Sequence, residues 1–210
     1  MFVIIADQIG SSTDTDQVAG ALAEVTVRFG AHYPLAPERM ASDELQVITA
    51  DAATALETVL MLLRGPHWRA GLGVGAVRMP LPGSIREASG PAFADARAGV
   101  EQAARRPTRF AIVALSGGAP RGEQSRALID LLLTHRARWS PAGWQLHDLL
   151  ESGLTQAEAA TQLGVTPQAT SKRARAAALR VEADARHALV LLLSDLGATV
   201  EDPTSEGEPS

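Results

Sequence analysis

Apolar residues in the first half of the chain alternate between runs of strand length and stripes with helical spacing. Residues 2–6 form a short apolar run, and Val18, Leu22 and Val25 then recur at spacings that place them on one face of a helix. By the same criteria, the later elements of this half are a hairpin over 39–41 and 45–49, a helix ending near Leu63, a strand over 68–77, a helix starting near Pro91 and a strand over 110–115. Strands and helices in this order predict a sheet with helices packed on it, of the α/β or α+β class.

Three alternate glycines, Gly71, Gly73 and Gly75, lie within the predicted strand over 68–77. They do not form a dinucleotide-binding fingerprint, because Pro80 and Pro82 follow where that motif requires a helix to begin. We therefore expect these glycines to let a neighbouring helix approach the sheet closely.

The second half of the chain shows no strand pattern beyond residue 118 and predicts helices over 124–139, 142–152, 155–163, 166–179 and 182–196. The glycine-rich segment 116–122 separates two predicted domains, an α/β domain over 1–118 and a helical domain over 123–200. Residues 201–210 are acidic and contain prolines, which predicts a disordered tail. A leucine stripe is expected either to pack within the chain or to pair two subunits; it consists of Leu189, Leu192, Leu193 and Leu196.

Residues 154–173 carry the signals of two short helices joined by a tight turn. Thr155 and Glu158 have the spacing of a capping box, so a helix starts at this point. Gly164 permits the left-handed conformation that a tight turn requires. Thr166 then caps a second helix whose first residue is Pro167, which has no N–H to lose. The pattern predicts a helix-turn-helix, and the alternative interpretation is an ordinary helical hairpin with a solvated basic flank.

The outward side of the second helix combines polar and cationic residues, which is the chemistry of a recognition helix in the major groove. Such motifs usually have a branched apolar residue in place of Thr170 and a larger residue in place of Ala174, which predicts looser packing beneath that helix. The residues expected to contact DNA are Thr155, Thr166, Pro167, Gln168, Ser171, Lys172, Arg173 and Arg175.

The overall charge neither supports nor excludes a DNA-binding protein. The formal net charge is −5, but four acidic residues lie in the tail and four cations lie together in 172–180, a segment without acids. A local basic face matters more for DNA than the sum over the chain. The chain has no cysteine, its apolar segments are shorter than a membrane span, and its first residues lack the features of a secretory signal. These features predict a cytoplasmic protein without membrane contacts.

Carboxylates follow the first strand at Asp7 and occupy the predicted hairpin turn at Asp43 and Glu44. If the two strands are neighbours, these groups converge at one sheet edge, where Mg²⁺ with nucleotide phosphates is the natural counterion. The backbone N–H groups of Ile9, Gly10, Ser11 and Ser12 precede a helix and are placed to hold a phosphate. The alternative is that Asp7 is only a cap and that the hairpin acids are only turn residues. No residue can be assigned a catalytic role from spacing.

The first half resembles the palm-like fold of GGDEF diguanylate cyclases and class III nucleotide cyclases. Ser42-Asp43-Glu44-Leu45 is similar to the Gly-Asp-Glu-Phe hairpin of that fold, with serine in place of glycine. Residues 70–75 and 88–97 resemble its fourth strand and following helix. The resemblance implies a ferredoxin-like sheet with packed helices, and Asp7 and Asp43 as metal ligands. A cyclase-like half joined to a helix-turn-helix resembles the SatD family, and this resemblance covers nearly the whole chain.

The sequence therefore predicts an α+β chain, with a cyclase-like domain followed by an all-α helix-turn-helix domain. We expect a transcriptional regulator that binds double-stranded DNA as a homodimer, with its first domain sensing a nucleotide or mediating dimerisation. The alternative is a metal-dependent nucleotide cyclase or nucleotidyltransferase that carries the helix-turn-helix as an accessory module.

Overall fold

The strands predicted for the first half of the chain form one five-stranded mixed sheet in the computed structural model, which describes residues 1–10, 16–114 and 119–201. The elements are β1 Phe2–Gln8, α1 Val18–Phe29, β2 Glu38–Arg39, β3 Glu44–Thr49, α2 Ala52–Leu62, β4 Trp68–Val74, α3 Pro91–Ala103, β5 Phe110–Val113, α4 Ala119–Arg136, α5 Pro141–Glu151, α6 Gln156–Gln162, α7 Pro167–Ala176 and α8 Leu179–Glu201. The α+β class and the predicted order of elements in the first half are confirmed.

The sheet has the order β2-β3-β1-β4-β5, with β1 antiparallel to both β3 and β4, and β4 parallel to β5. Successive side chains of β1 point to opposite faces of the sheet, and nearly all of them are buried. Val3 and Ile5 pack with Ala96 and Val100 of α3 in one core cluster. The next residue in this alternating row is Asp7, so the row that forms the core ends in a carboxylate.

The glycines of β4 set the distance between the sheet and α3. A Cβ atom added to Gly71 or Gly73 would collide with the α3 backbone at Ala96. The expectation that these glycines admit a helix is therefore confirmed. The same helix carries Arg97, which pairs with Glu44, the cross-strand neighbour of Asp7.

The chain divides into two compact units, Met1–Asp130 with the segment that starts at Leu189, and Leu131–Ala188. This division differs from the predicted boundary at 118–123, because part of α4 and most of α8 belong to the first unit. Leu193 and Leu196 are buried there, and Gly197 lies beside the ring of Phe2. In the leucine stripe, Leu189, Leu193 and Leu196 are buried within the chain, and Leu192 is exposed.

Several predictions fall outside the described residues. Ser11 and Ser12, residues 116–118 of the predicted boundary segment, and the tail beyond Glu201 belong to this group. Among the helices that the structure describes, none combines the length and hydropathy needed to cross a bilayer.

Candidate functional site

The first helix of the predicted helix-turn-helix begins with a complete capping box. The backbone N–H of Glu158 donates to Thr155 Oγ1 at 3.3 Å, and the backbone N–H of Thr155 donates to Glu158 Oε2 at 2.8 Å. These hydrogen bonds to the Thr155 backbone and hydroxyl lower the pKa of Glu158. Both predicted residues thus fix the start of α6, as their spacing indicates.

The turn between α6 and α7 is held by its backbone. Gly164 has φ +63°, and the N–H of Val165 donates to the Ala160 carbonyl at 3.0 Å. A residue with a Cβ atom is strained at this φ, so glycine suits the position. Thr166 then accepts the N–H of Ala169 at 3.2 Å, and Pro167 is the first residue of α7.

A small apolar core lies beneath these helices. Its buried members, contributed by the second unit, are Trp139, Leu146, Ala159, Ala177 and Leu179. Thr170 is fully buried, and its hydroxyl donates to the Thr166 carbonyl at 3.3 Å. Because this bond satisfies the hydroxyl within α7, Thr170 functions as a β-branched core residue, and Ala174 packs at the edge of the core.

The outward side of α7 is free of acidic partners. Gln168, Ser171, Lys172 and Arg175 are exposed, and Arg173 is half-buried. Within the described ranges, no ion pair engages Lys172, Arg173 or Arg175. The remaining predicted contact residues, Thr155, Thr166 and Pro167, are also exposed. This side therefore presents uncompensated positive charge next to hydrogen-bonding groups.

A groove of about 680 Å³ adjoins this side of α7 within the second unit. Ser171 and Arg175 line it from α7, while Arg180 and Val181 line it from α8. Arg180 is exposed and adds a cation to Lys172, Arg173 and Arg175, although the sequence analysis did not include it among the residues expected to contact DNA.

A partly buried charged network lines the same groove, with His147 and Glu151 of α5 and Glu182 and Arg186 of α8. Arg136 donates through Nη2 to His147 Nε2 at 2.9 Å, and its Cζ lies 5.4 and 5.2 Å from the ring centroids of Trp139 and Trp144. Arginine only donates hydrogen bonds, so His147 accepts at Nε2 and carries its proton on Nδ1, which lies 3.3 Å from Asp148 Oδ1. Burial lowers the pKa of His147, and the charge of Arg136 lowers it further.

On α8, Arg186 completes this network. It contacts Glu151 at 2.6 Å and the buried carboxylate of Glu182 at 3.1 Å. These contacts join α5 to α8 and leave α7 outside the charged network. Sequence reasoning missed the network, because each of its charged residues taken singly is typical of a solvated helix surface.

In the first unit, Asp7 lies between Glu44 and Arg69 in register. Glu44 is its Cα partner on β3, and Arg69 is its Cα partner on β4. The Nε and Nη2 atoms of Arg69 each lie 3.3 Å from Asp7 Oδ2. The carboxylate beside Asp7 is therefore that of Glu44.

Glu44 is buried and bound from two sides. Arg97 of α3 donates to it in a bidentate pair at 2.5 and 2.8 Å, and Gln46 Nε2 donates at 2.8 Å. Burial is the main cause that raises the pKa of Asp7; Arg69 opposes this rise and Glu44 adds to it. The result is a cluster of two adjacent carboxylates, each paired with its own guanidinium group.

The other predicted nucleotide and metal residues that the structure describes are Asp43, Ile9 and Gly10, and they do not form one site with Asp7 and Glu44. Asp43 approaches β1 through its backbone, because its carbonyl accepts the N–H of Gln8 at 2.8 Å. The N–H of Ile9 already donates to the His67 carbonyl at 2.7 Å, so it is not directed at a phosphate. Gly10 has φ +76° and ends the described segment before the helix. Over residues 1–10, 16–114 and 119–201, no three His, Cys, Asp or Glu side chains are grouped to hold a metal ion.

Comparison with known proteins adds no relative. No family model, curated protein or solved structure matches this chain. The evidence for function is therefore the basic side of α7 and the cluster of Asp7, Glu44, Arg69 and Arg97.

Proposed function

We propose that this chain is a DNA-binding transcriptional regulator whose second unit inserts α7 into the major groove of double-stranded DNA. The observation that carries the proposal is the outward side of α7, where Lys172 and Arg175 are exposed without acidic partners beside Gln168 and Ser171. Cations at this spacing bind phosphates, while glutamine and serine donate to and accept from base edges.

The local architecture supports the same interpretation. Capped α6 and capped α7 share one apolar core with α5, in which Ala159 and Ala177 are buried beside Leu146 and Trp139. The groove beside α7 adds Arg180, so positive charge continues from α7 to the start of α8. In this arrangement α7 is the recognition helix, and Thr155 and Thr166 lie at helix starts, where backbone N–H groups favour phosphate.

For the first unit, we propose a cyclase-like domain that senses a nucleotide or mediates dimerisation, as in the resemblance to the SatD family. The sheet order β4-β1-β3-β2, with α1 and α2 as connections, supports a ferredoxin-like arrangement. A homodimer would place two copies of α7 about one helical turn of DNA apart. Sedimentation should then give a dimer on DNA, and a monomer both free and DNA-bound would contradict it.

The DNA proposal is tested by titrating a fluorescent duplex with the whole chain and with the Lys172→Ala/Arg175→Ala double variant at several salt concentrations. If both residues contact phosphates, the double variant binds more weakly and its salt slope falls by about two for each bound protomer, hence by about four for a dimer.

The matched control is Arg28→Ala, which removes an exposed cation of α1 that is paired with Glu24. It should leave affinity and slope unchanged. Equal affinity of the double variant and the unmodified chain would exclude α7 as the interface.

A further inference from the structure

Two arginines bind acids at the end of the sheet where the sequence predicts a divalent cation at Asp7 and Asp43. Arg69 reaches Asp7 from β4, and Arg97 reaches Glu44 from α3. The two acids are neighbours across β1 and β3, so the four side chains form one cluster with balanced formal charge.

We propose that Arg69 and Arg97 take the place of a divalent cation, so that this end of the sheet neither needs nor accepts Mg²⁺. The proposal concerns the first unit alone and does not depend on DNA binding. It replaces the predicted metal site at Asp7 and Asp43 with a permanent pairing of Asp7 and Glu44 to guanidinium groups.

The geometry at Glu44 is the strongest argument against a cation. Its side chain is 8% exposed, and Arg97 and Gln46 together supply three hydrogen bonds to its two oxygens. Mg²⁺ requires near-octahedral oxygen ligands at short distances, so it would have to displace the bidentate arginine first. Arginine also forms this pair without losing its proton, because its pKa is far above neutrality.

Electrostatics leads to the same conclusion. A divalent cation beside Asp7 and Glu44 would lie among two fixed positive charges, and like charges at such distances repel strongly in a partly buried site. Among the described residues, no third acidic, histidine or cysteine side chain joins Asp7 and Glu44 to offset this repulsion. Removal of the arginines should therefore create a cation site from the same carboxylates.

Mn²⁺ is the probe for this test, because its free form has an electron paramagnetic resonance signal that is lost on binding. The unmodified chain should leave the free Mn²⁺ signal unchanged. The Arg69→Met/Arg97→Met double variant keeps most of the apolar stems but removes both charges. It should bind Mn²⁺ at least about tenfold more tightly, because two adjacent carboxylates are then uncompensated. Added Mn²⁺ should also raise the melting temperature of this variant and not that of the unmodified chain.

Three control variants identify the origin of the gain. Arg28→Met removes a surface partner of Glu24 and should bind no Mn²⁺, because Glu24 is solvated and, among the described residues, belongs to no group of acids that could hold a metal ion. Arg97→Lys keeps the positive charge and should also bind none. Adding Asp7→Asn and Glu44→Gln to the double variant should abolish its new Mn²⁺ binding.

The proposal is overturned if the unmodified chain binds Mn²⁺ as tightly as the double variant, or if the folded double variant binds none. If the double variant does not fold, Arg97→Met alone serves the same purpose, because it leaves Glu44 without its bidentate partner. A folded Arg97→Met variant with the Mn²⁺ affinity of the unmodified chain then overturns the proposal.

Discussion

At the scale of single residues, charged side chains inside the molecule have fixed partners that determine their protonation. His147 is held neutral, because burial and the adjacent Arg136 both disfavour the imidazolium form. Protonation of Nε2 would replace the 2.9 Å hydrogen bond from Arg136 with two opposed donors. A buried neutral histidine therefore makes folding depend on pH.

Lowering the pH from neutrality should destabilise the second unit through His147. The folded pKa lies below the unfolded value of about 6.5, so between these pKa values the unfolded state binds more protons. The contribution of neutral His147 to the free energy of unfolding is complete above about pH 6.5 and declines as the pH falls toward the folded pKa. Urea unfolding followed at a series of pH values measures this slope. His147→Gln, which keeps an acceptor for Arg136, should reduce it.

His187 on α8 provides a matched control for this measurement. It is exposed, and no contact joins it to Arg136 within the part of the chain described by the structure. His187→Gln should leave the pH slope as it is in the unmodified chain. If both histidine variants give the same slope, the hydrogen bond between Arg136 and His147 does not govern the pH response.

At the scale of elements, the contact between α3 and β4 depends on glycine. Gly71 and Gly73 face α3 so closely that any side chain would meet helix backbone, which cannot rotate away as a side chain can. The same contact brings Arg97 of α3 over Glu44. The position of α3 therefore links the packing of the core to the charged cluster.

Gly71→Ala should destabilise the first unit by about 3 kcal/mol, the upper part of the usual range for an overpacked core, because α3 must shift as a whole. Chemical denaturation measures the change in unfolding free energy. Gly20→Ala in α1 is the control, since no atom lies within 4 Å of the added Cβ. It should stabilise the chain by about 0.5–1 kcal/mol, as alanine favours helix over glycine. A loss of stability that is equal at both positions would contradict steric contact with α3.

The elements themselves could be predicted from sequence, but the partners of the acids could not. Apolar spacing and capping residues determine where β1, α6 and α7 lie, and these are local properties. Whether Asp43 or Glu44 faces Asp7 depends on the register of β1 and β3, and a slip of one residue exchanges the two. Arg69 and Arg97 approach from elements distant in sequence, so no local pattern indicates that they bind these acids.

At the scale of the whole molecule, the first unit is assembled from two segments that are separated in sequence by the second unit. Its last part is the C-terminal portion of α8, where Leu193 and Leu196 are buried. Gly197 of the same helix lies beside Phe2 at the start of β1. The first unit therefore depends on residues that the sequence pattern assigned to the other domain.

Leu193→Ala should lower the unfolding free energy of the first unit by about 2–5 kcal/mol, because it leaves a cavity in a fully buried position. Leu191→Ala on the same helix is the control, since that side chain is 56% exposed and its loss creates no cavity. Thermal melting of both variants measures the difference. Equal melting temperatures would show that the C-terminal part of α8 contributes no core to the first unit.

The interrupted first unit also has a consequence for synthesis on the ribosome. Residues 131–188 emerge together and contain every residue of the helix-turn-helix core, whereas the sheet emerges earlier but lacks Leu193 and Leu196 until translation has passed them. Nascent units fold as soon as their residues are exposed. The unit that starts first along the messenger is thus the one completed last.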